Sequence, residues 1–280
     1  MLSIACTIGR RLTKMEVLHS VRKKRRGTAT GHRVFAVCVQ PAWQQILGAL
    51  IGTGLRGCET VGGIVSRKPC LAELYQKYLD DQDLAGFVAG VGARYTPATL
   101  ERLAAYPDRE VRRAAVMALG FLGDYQNNQV LGQALVDEDR MVRMLADNAI
   151  RSVWLRVGTP AQRQQLGIIA RLVVGQRYED AIARASSLLE QAEWLAEAWY
   201  QRGVAEFHLR RYAEAVRDCH ETLELNPYHF LAAVIMGQSY LAMGNRSSAL
   251  EAFRRALKLN PDLEGVRQQV ARLTQRTEDH

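Results

Sequence analysis

The sequence predicts an all-α fold, a solenoid of stacked antiparallel helix pairs, on three observations. The phrase Leu-x-Leu-Asn-Pro occurs twice, ending at Pro227 and again at Pro261. A second phrase, Asp-Arg-x-Val-Arg, starts at Asp108 and again at Asp139. From Cys70 onward the apolar residues recur at helical spacing. Both phrase intervals fall within the period of about 20–50 residues that marks arrays in which each unit buries its apolar face only against its neighbours.

Composition bounds the function. A chain of 280 residues can bury one large core or two modest ones, and 48% apolar with 24% charged residues suits a soluble globular protein. No apolar run approaches the ~18 residues needed to span a bilayer. The best candidate, Ile46 to Leu55, is interrupted by glycines. The net charge of +8 is not a property of the body. Residues 1–33 hold nine Lys or Arg against the single acid Glu16, which leaves 28 basic and 28 acidic residues for positions 34–280. A basic groove in the folded part is therefore not expected, and nucleic acid could be met only through the tail. Five scattered cysteines without a Cys-x-x-Cys pair suggest neither a disulfide framework nor a zinc site. They fit a reducing, cytoplasmic setting.

Residues 1–40 read as a disordered basic tail, because "VRKKRRGTATGHRV" lacks apolar periodicity. A nuclear-type signal, an Arg-rich transit peptide and a nucleic-acid anchor all match such a run, but short basic runs match by accident, and a solvated tail is preferred. Met15 is an alternative start. Residues 41–69 read as a Gly-rich linker with one short helix. Within it "GTGLRG" (52–57) fits the G-x-G-x-x-G phosphate loop, yet "CETVGGIVSRKP" follows with no helical period, so the linker reading is taken.

Helical repeats start at Cys70. Leu71, Leu74, Tyr75, Tyr78 and Leu79 form one apolar stripe. "DDQDLAGFVAGVGARY" predicts a second helix and "TPATLERLAAYP" a third, with Thr96 as N-cap before Pro97. In the Asp-Arg-x-Val-Arg repeat, Asp108, Arg109, Val111, Arg112, Ala115 and Ala118 recur as Asp139, Arg140, Val142, Arg143, Ala146 and Ala149. Each copy reads as an Asp N-cap and a helix of small residues, preceded by a partner helix in "TLERLAAYP" or "QVLGQALVDE". Residues 70–158 resemble the HEAT family in its short bacterial form. Positions 108–120 match its phrase well, whereas the second copy has Ile150 and Arg151 where Leu-Gly would fall. The resemblance implies that Arg112 and Arg143 pair with acids of adjacent repeats, a structural role.

The 34-residue copies run from Ala196 to His229 and from Phe230 to Leu263. Trp199, Gly203, Tyr212, Ala215 and Pro227, then Gly237, Tyr240, Ala249, Phe253, Ala256 and Pro261, resemble the tetratricopeptide (TPR) pattern. Gly203 and Gly237 allow two helices to approach without an intervening Cβ, and the prolines end each unit. A weaker copy places Tyr178 and Ala181 one full repeat before Tyr212 and Ala215. Its first helix starts at Thr159-Pro160, and Glu193 stands where the closing proline would be. "DLEGVRQQVARLTQR" reads as a capping helix, so residues 159–275 form the second domain. The two resemblances imply a right-handed α-solenoid, HEAT-like and then TPR.

In that family the first helix of each pair lines the concave docking face. The positions are Tyr200, Gln201, Val204, Phe207 and His208, then Val234, Ile235, Gln238 and Leu241, with Leu166, Ala170 and Val173 from the weaker copy. The Lys/Arg/Asn clamp that such repeats use for acidic C-termini is absent here. An apolar groove suits a partner helix or an apolar segment of another protein. Filling by the chain's own cap helix or by self-association weighs nearly as much. The six histidines lie in the tail, at repeat surfaces or at the C-terminus, none in a metal-ligand spacing, and no nucleophile motif or P-loop occurs. The expected function is a non-enzymatic adaptor without cofactor. Two rivals are a phycobilin-lyase-like protein, whose short HEAT repeats look similar, and a nucleic-acid-associated protein acting through the tail.

Overall fold

A computed structural model describes residues 70–278, so the basic tail, the linker and its "GTGLRG" loop lie outside the described residues. Thirteen α-helices occur among the described residues, and no strand. They are α1 (Cys70–Asp81), α2 (Leu84–Gly92), α3 (Pro97–Ala104), α4 (Arg109–Leu122), α5 (Asn128–Ala134), α6 (Arg140–Trp154), α7 (Pro160–Val174), α8 (Tyr178–Leu189), α9 (Ala196–His208), α10 (Tyr212–Leu225), α11 (Phe230–Ala242), α12 (Arg246–Leu259) and α13 (Glu264–Glu278). The architecture is all-α, with helices packing mainly on their chain neighbours.

Local chemistry sets the helix starts. Thr96 Oγ1 accepts from the Thr99 N–H at 3.3 Å, Asp108 from Glu110 at 2.7 Å and Asp139 from Val142 at 3.0 Å. Thr159 and Gln162 cap α7 reciprocally. The predicted stripe of α1 buries Leu71, Tyr75 and Tyr78, and both rings meet Phe87 of α2 at centroid distances of 6.3 and 5.6 Å. Burial pushes the Tyr75 phenol up to about 12.

In the HEAT-like repeats, Ala115 and Ala118 of α4 and Ala146 and Ala149 of α6 are all buried, so the two helices approach closely. Arginines tie one repeat to the next. Arg112 donates to Asp137 at 2.9 Å and to Glu138 at 2.9 Å, and also to the carbonyls of Tyr106 and Pro107. Arg113 makes a two-pronged bond to Asp139, at 2.8 and 2.6 Å, which holds that carboxyl down at about 2. Asp139 thus caps α6 and anchors α4 with one side chain.

The 34-residue repeats show their period in the backbone. The turns between paired helices place Gln176, Arg210 and Gly244 at positive φ, each one repeat from the next. After each, the N–H of Arg177, Arg211 or Asn245 reaches back to the carbonyl of Leu172, Glu206 or Tyr240 at 2.9 Å, closing the helix end. The turn of α7–α8 therefore has the same geometry as those of the two clearer copies. A Cβ on Gly237 would stand 2.6 Å from the Phe253 ring, and one on Gly203 would stand 3.1 Å from Asp218 Cβ. Those two glycines are where α11 meets α12 and α9 meets α10.

The joint between the arrays decides where any surface is left open. α6 does not pack along α7. Its second face meets the loops that close the 34-residue units. Arg143 binds Asp262 at 2.9 and 3.1 Å, and Asn260 Nδ2 donates to Asp147 Oδ1 at 2.9 Å. At the other end of α6, Trp154 Nε1 donates to Asn128 Oδ1 at 2.8 Å, and Asn128 Nδ2 donates to Asn226 Oδ1 at 2.8 Å. Trp154 also stacks on His229, with centroids 4.0 Å apart. Arg112 pairs with the next repeat as expected, whereas Arg143 reaches across to the other array.

Four substitutions test this packing. Gly237→Ala should cost about 1–2 kcal/mol net, because crowding Phe253 outweighs the helix-propensity gain. Gly265→Ala, with open space around it, should be neutral or stabilising by up to about 1 kcal/mol; urea unfolding measures both. Asn128→Ala leaves Trp154 Nε1 without its acceptor and should lower stability by about 1–3 kcal/mol in the same assay. The depressed Asp139 carboxyl stabilises the fold above its unfolded value of about 3.9, and that contribution is lost as pH falls towards about 2. Arg113→Ala should raise the Asp139 titration midpoint, read by NMR, and shrink the pH-dependent part of stability in that window.

Candidate functional site

The expected concave face is not an open groove throughout. Tyr200, Gln201, Val204, Val234 and Ile235 are buried, as are Leu166 and Val173 of the preceding unit. This corrects the expectation that they are presented to a partner: apart from Gln201, whose amide bonds Glu197, they pack into one apolar cluster shared by α7, α8, α9, α11 and α12. Val157, after α6, packs against the same cluster, and Trp154 of α6 reaches His229 beside Tyr200. Phe207, His208, Gln238 and Leu241, from the later turns of α9 and α11, stay partly exposed, with Ala170 of α7.

His229 needs a second correction, because it is fully buried rather than at a repeat surface. Its Nδ1 accepts the Ala232 N–H at 3.1 Å and so caps α11. That leaves the proton on Nε2, which donates to Glu197 Oε2 at 3.2 Å. Glu197 Oε1 in turn accepts from Gln201 Nε2 at 2.6 Å. The imidazole lies between Trp154 and Tyr200, 4.0 and 4.4 Å away, and burial pushes the Tyr200 phenol far up. Both imidazole nitrogens are engaged, so the group is built as a structural cap and not as a base open to a substrate. Burial likewise raises the Cys219 thiol well above its ordinary range, away from nucleophilic use. Among the described residues no three His, Cys, Asp or Glu side chains could together hold a metal ion.

What remains open lies along the ends of α7, α9 and α11. The 34-residue register aligns Val173–Val174, Phe207–His208 and Leu241–Ala242. Val174 is 57% exposed, and Met243, just beyond α11, is 44% exposed. His208 stacks face to face on Tyr178 at 4.7 Å, and Phe207 meets Tyr212 at 5.7 Å. Desolvation pulls the His208 imidazole below its usual value, so the rim carries a neutral ring there at pH 7. Tyr178, Val174 and Met243 were not expected in the site. The same register that picked out Phe207 would have found Val174 one position beyond Val173.

Residues 96–185 match the family model of HEAT repeats, and residues 196–229 and 231–263 match two tetratricopeptide repeat models. The HEAT match runs on through α7 and into α8. Tetratricopeptide repeat protein 37 of Xenopus laevis is 31% identical over 87 residues, 29% of this chain and 5% of the relative. The Hsp70-Hsp90 organizing protein of Triticum aestivum is 28% identical over 95 residues, 34% of this chain and 16% of the relative. The chain thus spans a small part of these relatives. Among solved structures, YrrB, described as a TPR protein with an unusual peptide-binding site, aligns at 20% identity and a TM-score of 0.37 over 71% of this chain and 98% of that one. The chain carries HEAT repeats over residues 96–185, followed by tetratricopeptide repeats over residues 196–229 and 231–263.

Proposed function

We propose that the chain is a protein-interaction adaptor, and that it docks an apolar helix or segment of its partner on the rim formed by the ends of α7, α9 and α11. The observation that carries this is the gathering of exposed and half-buried apolar side chains at neighbouring positions of successive repeats. Phe207 and Leu241 share one position, Val174 stands one position on in the unit before, and Met243 lies just beyond α11; α6 does not cover them. Scattered apolar side chains are normal on a surface, whereas a group of them on successive helix ends suits docking. The buried part of the concave face gives the group a rigid base. The repeat type supports the same reading, and so does the Triticum aestivum relative, named as an Hsp70-Hsp90 organizing protein.

The test is capture from native cell extract with the full chain, as wild type and as a Val174→Asp/Leu241→Asp variant. Circular dichroism should show equal helix content. A protein retained by the wild type and captured about tenfold less by the variant is the expected result, since a central apolar anchor carries at least that much binding energy. Equal capture would move the docking site off this rim.

A further inference from the structure

We infer that the cleft between α7 and α8 is a second docking site, separate from the rim. Its occupant is an amphipathic helix of a partner protein, apolar towards α7 and carboxylate-bearing towards α8. The cleft is open and about 840 Å³ in volume, and its two walls differ in chemistry. On the α7 wall Ile168 and Leu172 stand one turn apart and half-buried, with Gln165 beside them. The α8 wall is polar, with Asp180, Arg184 and Ser187 exposed along one face of that helix. A terminal face that met only water would be polar on both walls.

The 34-residue register identifies the missing group. Ile168 and Leu172 fall at the positions of Arg202 and Glu206, and Arg184 falls at the position of Asp218. In the second pair these charges are satisfied inside the fold. Arg202 donates to both oxygens of Asp218 at 2.8 Å and to Ser186 of the preceding α8 at 3.0 Å, and Glu206 pairs with Arg211. In the first pair the arginine stands on the second helix and faces two aliphatic side chains. Among the described residues Arg184 makes no ion pair; its Nη1 donates to Gln165 Oε1 at 3.2 Å. Asp180, one turn before it, is taken by Arg177 at 2.7 Å. A guanidinium fork is completed by a carboxylate, as Asp218 does one unit on.

The first pair is also built wider. Where Gly203 and Gly237 bring the later pairs together, α7 has the fully buried Ile169, and α7 and α8 pack less closely than those pairs do. An apolar wall facing a polar wall with an unpaired arginine fits one kind of helix, whose apolar stripe covers Ile168 and Leu172 while an acid on its edge meets Arg184. The last helix of a second copy lacks that acid. The exposed face of α13 presents Gln268, Arg272 and Gln275, and its Glu264 is already paired with Arg267.

The test uses the full chain and two synthetic helical peptides that share a leucine stripe, one with glutamates along both edges and the other with lysines in their place. Fluorescence anisotropy is read at physiological ionic strength, which screens the basic residues 1–33. The glutamate peptide should bind about tenfold more tightly than the lysine peptide, and on binding should slow amide exchange in α7 and α8 but not in α11 and α12. Arg184→Glu, an exposed change, should remove the preference for glutamate. Ile168→Asp should weaken both peptides by about tenfold. Failure of both peptides to bind, equal affinity for the two, or a glutamate preference that survives Arg184→Glu would overturn the assignment.

Discussion

Everything in this molecule depends on the two asparagines that close its tetratricopeptide units. Asn226 and Asn260 each stand before a proline, which stops the helix, and each is almost completely buried. Their side chains point into the HEAT array: Asn260 donates to Asp147, and Asn226 accepts from Asn128, which itself accepts from Trp154. Asp147 and Trp154 lie two turns apart on α6, about 10 Å at the helical rise. One face of a single HEAT helix therefore reads two successive units. In the repeat pattern the phrase is a stop signal; here it also carries the contact between the two arrays.

The surface of the molecule follows from that contact. With α6 held against the loops, Trp154 reaches His229 beside Tyr200, while Tyr200, Gln201 and Val234 are spent on internal packing. The ends of α7 and α11 stay outside, where Val174 and Met243 are exposed. α6 packs on the HEAT helices and on these loops rather than along α7.

The fold was legible because both repeat phrases recur with their caps, small residues and prolines in register. The Asp108 and Asp139 caps and the Gly237 approach could be read from spacing, and the Arg112 ion pair was implied by the HEAT resemblance. The joint could not, because nothing in a repeat pattern marks contacts between residues such as Asn128 and Asn226, 98 positions apart. Nor do the turns show themselves. Only Gly244 advertises a left-handed residue, while Gln176 and Arg210 take that conformation as ordinary side chains, held by the repeated 2.9 Å helix-closing bond. His229 was misread for a related reason. Its position in the tetratricopeptide pattern is a loop, and loops are usually solvated; this one is covered by Trp154.

The joint is specific in register as well as tight. Hydrogen bonds between asparagines contribute only about 0.5–1.5 kcal/mol each, but a buried polar group left without its partner costs more. The flanking residues make the two sites unlike each other. Gly132 of α5 lies so close to the Tyr228 ring that no side chain would fit there, whereas Arg143 is paired with Asp262. Tyr228 and Asp262 occupy the same place in successive units, each directly after the closing proline. A slip of one repeat would set either an aromatic ring against Arg143 or a carboxylate against the apolar notch at Gly132, depending on its direction. The arrays therefore dock in one register, set by side chains that differ between successive units.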